Sequence, residues 1–92
     1  MGPCRFNRER AELTRDGKLV RLTTAELKLL KILAEAHGKP ISRLELTKLT
    51  GAGLERSIDV QVNRLRRKIE ADPKMPVYLQ TVRGIGYVLI PD

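Results

Sequence analysis

The chain has 92 residues, 41% of them hydrophobic, which is enough for one small domain with a single core. Its 18 Lys and Arg against 11 Asp and Glu give a net charge of +7, which favours a polyanionic partner, while only 3% aromatic residues argue against base stacking on single strands. No apolar run approaches the ~18 residues of a membrane span, so a cytoplasmic protein without a membrane partner is expected.

The N-terminal residues predict a small antiparallel sheet. Phe6 begins one short candidate strand, and residues 11–14 form a second. An Asp-Gly turn at residues 16–17 then leads into a return strand at residues 19–22. Asp-Gly between two apolar runs is one of the strongest local signals for a β-hairpin.

Two helices with the same start signal follow. Thr23 and Glu26 form a capping box, in which each side chain satisfies a backbone donor of the other residue, and this helix is expected to end at Gly38. Ser42 and Glu45 repeat the signal for a shorter helix. The residues expected to be buried in the two helices are Leu27, Leu29, Leu30, Ile32, Leu33, Ala34, Leu44, Leu46 and Leu49.

Residues 56–71 predict an amphipathic helix with a basic outer face. Its apolar residues recur every three or four positions and form one stripe. The opposite face carries Arg56, Val60, Asn63, Arg64 and Arg67. In a DNA major groove, Arg can donate to guanine, Asn can bond adenine, and a Val methyl can touch a thymine methyl. For this helix considered alone, a solvated charged face is the alternative.

The second helix and the basic helix are joined by residues 51–55, so the pair predicts a helix-turn-helix in which the second helix braces the recognition helix. Residues 77–90 then predict a β-hairpin with its tip at 83–86, where the glycines are expected to supply positive φ. Arg83 at this tip can reach a minor groove, whose negative potential attracts arginine. A solvated arginine is again the alternative.

No catalytic, metal or cofactor site is predicted. Cys4 is the only cysteine, so no internal disulfide is possible, which fits a reducing compartment. His37 is the only histidine and is expected at a helix end, without a second ligand nearby. The glycines at 84 and 86 lack the third glycine of a dinucleotide fingerprint. The chain is therefore not expected to be an enzyme.

In this order, the sheet, the helices and the hairpin predict an α+β winged helix-turn-helix domain. From residue 16 to 90 the chain also resembles the C-terminal DNA-binding domain of OmpR/PhoB-type response regulators. The motifs that carry the resemblance are Leu22-Thr23-x-x-Glu26, Ser42-Arg43-x-x-Leu46, Ser57-Ile58-Asp59-Val60, Leu65-Arg66-Arg67-Lys68-Ile69 and Thr81-Val82-Arg83-Gly84-Ile85-Gly86-Tyr87. Residues 55–61 and 86–92 are most similar to the OmpR branch.

The resemblance implies a bacterial transcription regulator of a two-component system. Such a protein binds direct-repeat sites in double-stranded promoter DNA, often as a head-to-tail pair. The resemblance also implies that Val60, Asn63, Arg64 and Arg67 face bases or nearby phosphates, that Arg56, Ser57 and Arg66 hold phosphate, and that Arg83 enters the minor groove. The helical wheel agrees except for Arg66, which it puts at the flank of the outer face.

The chain departs from the family pattern in two places. Gly51, Ala52, Gly53 and Leu54 occupy the segment that contacts RNA polymerase in the family, but they lack its frequent aromatic and acidic residues. The N-terminal sheet looks shorter than the usual four strands. The phosphorylatable receiver domain is absent from these residues. The domain is predicted to run from 5 to 92, with residues 1–3 left out as a remnant of cloning.

Two other classes of binding protein remain open. A basic RNA-binding domain would fit the charge, although the scarce aromatics and the helix-plus-hairpin order argue against it. Competition between duplex DNA and structured RNA at equal salt would separate the two. A winged-helix domain that binds only proteins should have lost the arginines of the outer face, and this chain retains them.

Overall fold

A computed structural model of the protein describes residues 2–90, so Met1 and the predicted domain end at 91–92 lie outside the described residues. The elements are β1 (Cys4–Asn7), β2 (Glu12–Arg15), β3 (Lys18–Val20), α1 (Thr24–Glu35), β4 (Ile41–Ser42), α2 (Arg43–Thr50), α3 (Glu55–Ile69), β5 (Leu79–Val82) and β6 (Gly86–Leu89). The predicted α+β winged helix-turn-helix is confirmed, with one additional strand, β4, that was not predicted.

The N-terminal sheet contains three antiparallel strands in the order β1-β2-β3. Asp16 and Gly17 form the predicted turn, with φ values of 53° and 79°, and two left-handed residues suit a two-residue hairpin loop. β1 begins at Cys4, whose buried thiol donates to the Ile69 carbonyl oxygen at 3.6 Å. The Asp16 amide also donates to the Pro3 carbonyl oxygen at 2.9 Å. The fold therefore includes two residues that the predicted boundary left out.

α1 begins at the predicted capping box. The Thr23 hydroxyl accepts from the Glu26 amide at 3.2 Å, and the Glu26 carboxylate accepts from the Thr23 amide at 2.8 Å. The helix ends at Glu35, three residues before the predicted end. His37 and Gly38 have φ values of 51° and 81°, so the chain leaves α1 through two left-handed residues.

The core lies between the three helices and the β5–β6 hairpin. Its fully buried helical residues are Leu29, Leu30, Leu46, Ile58, Val62, Leu65 and Ile69. The prediction that Leu44 and Leu49 are buried is wrong, since each is 55% exposed. α2 packs on α1 and α3 through a narrow stripe centred on Leu46, and Leu44 lies about 200° from it around the helix.

The second sheet has the order β4-β6-β5 and fixes the hairpin to the start of α2. β4 pairs Ser42 with Gly86 of β6. A Cβ at Gly86 would collide with the Ile41 carbonyl oxygen and lie 2.8 Å from the Ser42 Cα. Gly86 therefore permits close strand approach, and the prediction that it supplies positive φ is wrong. Gly84, at φ 79°, does have the predicted conformation.

An ion pair between a buried carboxylate and a partly exposed lysine joins α1 to α3. The Glu26 carboxylate is almost fully buried, and Lys68 Nζ donates to it at 2.6 Å and to the Arg21 carbonyl oxygen at 2.8 Å. Burial pushes the pKa of Glu26 upward, but the hydrogen bonds from Lys68 and Thr23 and the Lys68 charge outweigh it, so the pKa is lowered overall. The pair thus favours the ionised carboxylate in the folded state.

We expect the free energy of unfolding to decrease in acid because the unfolded chain binds the Glu26 proton more readily than the folded one does. The contribution is fully present above the ordinary pKa of 4.5 and is lost as the pH falls through the lowered pKa of the folded state. Urea unfolding of the wild type and Glu26→Gln measures it. The variant should be about 1–3 kcal/mol less stable near neutral pH. This difference should shrink in acid, and a constant difference would contradict the assignment.

Candidate nucleic-acid interface

α3 is the longest helix and carries the basic face. Leu54 is its N-cap and makes no side-chain capping bond, while Glu55 in the first turn and three basic residues in the last turn suit the helix dipole. The helix starts and ends slightly before the predicted residues 56–71. Its apolar stripe is fully buried at Ile58, Val62, Leu65 and Ile69. Burial of this stripe turns the opposite face to solvent.

The outer face of α3 exposes the residues that were expected to read bases. Val60 is 44% exposed, and Asn63, Arg64 and Arg67 are exposed beside it. Arg56 is exposed at the start of the helix. Ser57, the next residue, is half-buried. The fold therefore brings polar donors and the two methyl groups of Val60 to one side of a single helix, as the helical wheel predicted.

Arg66 lies at the predicted flank of α3, but it is buried there. It is 9% exposed, because the hairpin packs over the flank of α3 where the helical wheel placed it. Its Nε donates to the Leu79 carbonyl oxygen and its Nη2 to the Thr81 hydroxyl, both at 2.9 Å. The guanidinium carbon lies 5.6 Å from the centroid of the Tyr87 ring. Two of its three nitrogens are thus engaged within the domain, and a phosphate contact by Arg66 stays a prediction.

A cleft separates the outer face of α3 from the hairpin. It is lined by Asn63, Arg66 and Arg67 of α3, by Gln80 and Thr81 of β5, and by Asp72, Pro73, Lys74 and Pro76 of the loop between them. Sequence reasoning missed Lys74, Gln80 and Thr81, because strand and loop positions meet α3 only in the folded domain. The available signal was Lys74, a basic residue in the loop after a basic helix.

Arg83 lies at the exposed tip of the hairpin. The Ile85 amide donates to the Val82 carbonyl oxygen at 3.0 Å and closes the turn. Gly84 supplies the left-handed residue that this turn needs. Ile85 is 55% exposed beside the arginine. The tip therefore presents one cation and one apolar side chain beyond the sheet.

A polar network beneath this face connects α2, α3 and β6. Arg43 Nε and Nη2 donate to the two carboxylate oxygens of Asp59 at 3.0 and 2.6 Å. The Tyr87 hydroxyl donates to the same carboxylate at 2.6 Å. Burial, followed by the bond to Asp59, raises the pKa of Tyr87 to about 12, so the phenol remains a donor at neutral pH. Sequence reasoning had treated Asp59 and Tyr87 only as parts of family motifs.

The join between α2 and α3 lies at the surface. Gly51 and Gly53 have φ values of 73° and 81° and turn the chain between the helices. Ala52 packs against the core, whereas Leu54 is 63% exposed. The segment that the family resemblance relates to RNA polymerase is therefore accessible to a partner.

Residues 2–90 contain no group of three or more His, Cys, Asp or Glu side chains that could hold a metal ion. In the same part of the chain, no helix is long and apolar enough to cross a membrane.

Comparison with known proteins identifies relatives of the whole fold. A family model described as transcriptional regulatory protein, C terminal, matches residues 17–89. Protein PetR of Rhodobacter capsulatus is 46% identical over 101 residues, which cover 100% of this chain and 43% of PetR. The chain thus spans less than half the length of this relative.

Solved structures agree with this comparison. The Klebsiella pneumoniae RstA DNA-binding domain, crystallised in complex with the RstA box, has a TM-score of 0.85 and 30% identity, with 99% of this chain and 94% of that chain covered. Response regulator DrrB, a Thermotoga maritima OmpR/PhoB homologue, has a TM-score of 0.91 and 29% identity, with 99% and 43% covered. The similarity includes both sheets and all three helices.

Proposed function

Because the chain belongs to the family of C-terminal domains of transcriptional regulatory proteins, of the OmpR/PhoB response-regulator type, we propose that it binds specific sequences in double-stranded DNA and thereby controls transcription. The observation that carries this proposal is the solvent-facing row on α3, anchored by a fully buried apolar stripe. A single helix of this kind fits a DNA major groove. The net charge of +7 supplies the attraction to phosphate.

We assign different roles to the exposed side chains. Arg56 and Ser57 lie in the first turn of α3, where the helix N-terminus favours phosphate, so these two are assigned to the DNA backbone. The side chains assigned to bases or their nearby phosphates are Val60, Asn63, Arg64 and Arg67. Arg83, at the exposed hairpin tip, is assigned to the minor groove beside the site read by α3.

We further propose that the domain is the effector part of a longer two-component response regulator. PetR and DrrB are each more than twice as long as the segment that matches this chain, which leaves room for a receiver domain. In keeping with the family resemblance, two copies would bind direct repeats head to tail. The exposed join at residues 51–54 would meet RNA polymerase.

The salt dependence of binding tests the main proposal. In an anisotropy titration with a labelled promoter duplex, affinity should fall roughly a hundredfold between about 50 and 200 mM salt if about four phosphates are contacted, since counterion release sets the slope. A duplex of scrambled sequence is the control and should bind more weakly. Affinity that does not depend on salt would count against DNA binding.

Binding to RNA, the alternative polyanion, is tested by competition against the same labelled duplex. Unlabelled duplex and structured RNA of equal length are added as competitors at one salt concentration. Duplex DNA should displace the label at lower concentration than RNA does. If RNA competes better, the basic face belongs to an RNA-binding domain.

A further inference from the structure

The β5–β6 hairpin is attached to α3 at two separate points. Near the start of the helix, Asp59 accepts a hydrogen bond from Tyr87 of β6 at 2.6 Å. Seven residues later, Arg66 donates to Leu79 and Thr81 of β5 at 2.9 Å. At 1.5 Å per residue the two points are about 10 Å apart along α3. Two attachments at this separation resist rotation of the hairpin about either one.

Asp59 is the common acceptor at the first attachment. One carboxylate receives two hydrogen bonds from Arg43 of α2 and one from Tyr87 of β6. The ring of Tyr87 also lies beneath the Arg66 guanidinium, so the two attachments meet on one side chain. Tyr87 is 8% exposed and has little space in which to change its position.

The other contacts of the hairpin lie at its base and along one edge of β6. Leu79 and Leu89 are buried in the core at the base, and the short strand β4 pairs with Gly86 and Tyr87 at the other end of β6. The tip at residues 83–85 is exposed and is closed by the turn bond from Ile85 to Val82. Among residues 2–90, β4 supports β6 alone, and β5, which leads to Arg83, has β6 as its one strand partner in the sheet. The contacts of the hairpin with α3 therefore help to decide where Arg83 lies relative to the outer face of that helix.

We propose that Asp59 is a positioning residue for DNA recognition. Through Tyr87 it fixes the angle of the hairpin on α3, and through Arg43 its own carboxylate is held in place. Arg83 then lies beside the base pairs read by α3 before DNA arrives. Ordering a mobile segment on binding costs free energy. A domain whose hairpin is already held should therefore bind DNA more tightly and with more sequence preference than one whose hairpin is mobile. This inference rests on the proposed DNA binding and requires no contact between Asp59 and DNA.

A double-mutant cycle with Tyr87→Phe and Arg83→Ala tests the inference. Tyr87→Phe removes the hydroxyl bond to Asp59 and keeps the ring beneath Arg66, so the domain should still fold. Each single variant should bind its preferred duplex about three- to tenfold more weakly than the wild type. The double variant should bind within about twofold of Arg83→Ala alone, because a mispositioned hairpin has already lost that contact. If the two losses multiply, the inference is wrong.

Tyr78→Phe is the matched control, since it removes the same atom from the other tyrosine and leaves the Asp59 network intact. Its affinity should stay within about twofold of the wild type. Thermal unfolding of every variant checks that the compared proteins are folded. A loss with Tyr78→Phe equal to that with Tyr87→Phe would mean that general destabilisation, and not the network, weakens binding, and would overturn the inference.

Asp59→Asn adds a readout that a purely structural role would not change. It removes the charge that faces Arg43 and weakens the bond to Tyr87. In a selection from random duplexes, this variant should lose preference at the base pairs next to the hairpin and keep the preference at those read by α3. An equal loss at all positions would overturn the positioning role. A wild type that binds no duplex DNA would overturn the proposed function as well, so the two failures differ.

Discussion

Replacing Arg64 by alanine should weaken binding to the preferred duplex by about 1–3 kcal/mol, or roughly five- to more than a hundredfold. Arg64 is exposed on the outer face of α3, and its guanidinium has no hydrogen bond or ion pair within residues 2–90. It is therefore available to donate two bonds to one guanine. The loss should be concentrated at one base pair of the site, which a selection from random duplexes would reveal.

Arg56→Ala is the matched control for Arg64→Ala. It makes the same change on the same helix, at a residue assigned to phosphate. It should weaken all sequences about equally and reduce the slope of log affinity against log salt by about one. If the two variants had the same sequence profile, the division between base and phosphate contacts would be wrong.

Replacing Glu70 by alanine should reduce the free energy of unfolding by about 3 kcal/mol or more. Glu70 is the C-cap residue of α3 and is 2% exposed. One carboxylate oxygen accepts from the Val77 amide at 2.9 Å, and the other accepts from the Tyr78 and Leu79 amides at 3.0 and 2.8 Å. Without the carboxylate these amides lose their acceptor, at about 1–3 kcal/mol for each one that stays buried. Urea unfolding followed by circular dichroism measures the change.

Glu35→Ala is the control for Glu70→Ala, because Glu35 is exposed at the end of α1. Its effect should stay within about 0.5 kcal/mol. Glu70→Gln keeps one carbonyl acceptor and should lie between the alanine variant and the wild type. A Glu70→Ala protein as stable as Glu35→Ala would show that solvent replaces the carboxylate and that the contact contributes little.

Much of the fold could be predicted because its signals involve near neighbours in the chain. The capping box at Thr23 and Glu26 depends on residues three positions apart, and the turn at 16–17 depends on two adjacent residues. The exposed face of α3 follows from the helical repeat alone, so the exposure of Val60, Asn63, Arg64 and Arg67 can be predicted without the packing of the domain.

Other features depended on segments that are distant in sequence. Leu44 and Leu49 are apolar residues of α2, yet the helix packs on its neighbours through a narrow stripe centred on Leu46 and leaves both of them exposed. Gly86 looks like a turn glycine, but the approach of β4 decides its role. Packing of the hairpin also buries Arg66, which a wheel of α3 alone leaves at an exposed flank.

Local hydrogen bonds and helical periodicity act over a few residues, so the amino-acid order was sufficient to predict the helix starts, the turns and the basic face. A long polar side chain forms hydrogen bonds with groups that packing brings within about 3 Å of it. In this domain many of these groups are distant from it in the sequence. For this reason the Arg43–Asp59–Tyr87 network, the three amides held by Glu70 and the cleft beside α3 could be recognised only after the sheet and helices were assembled.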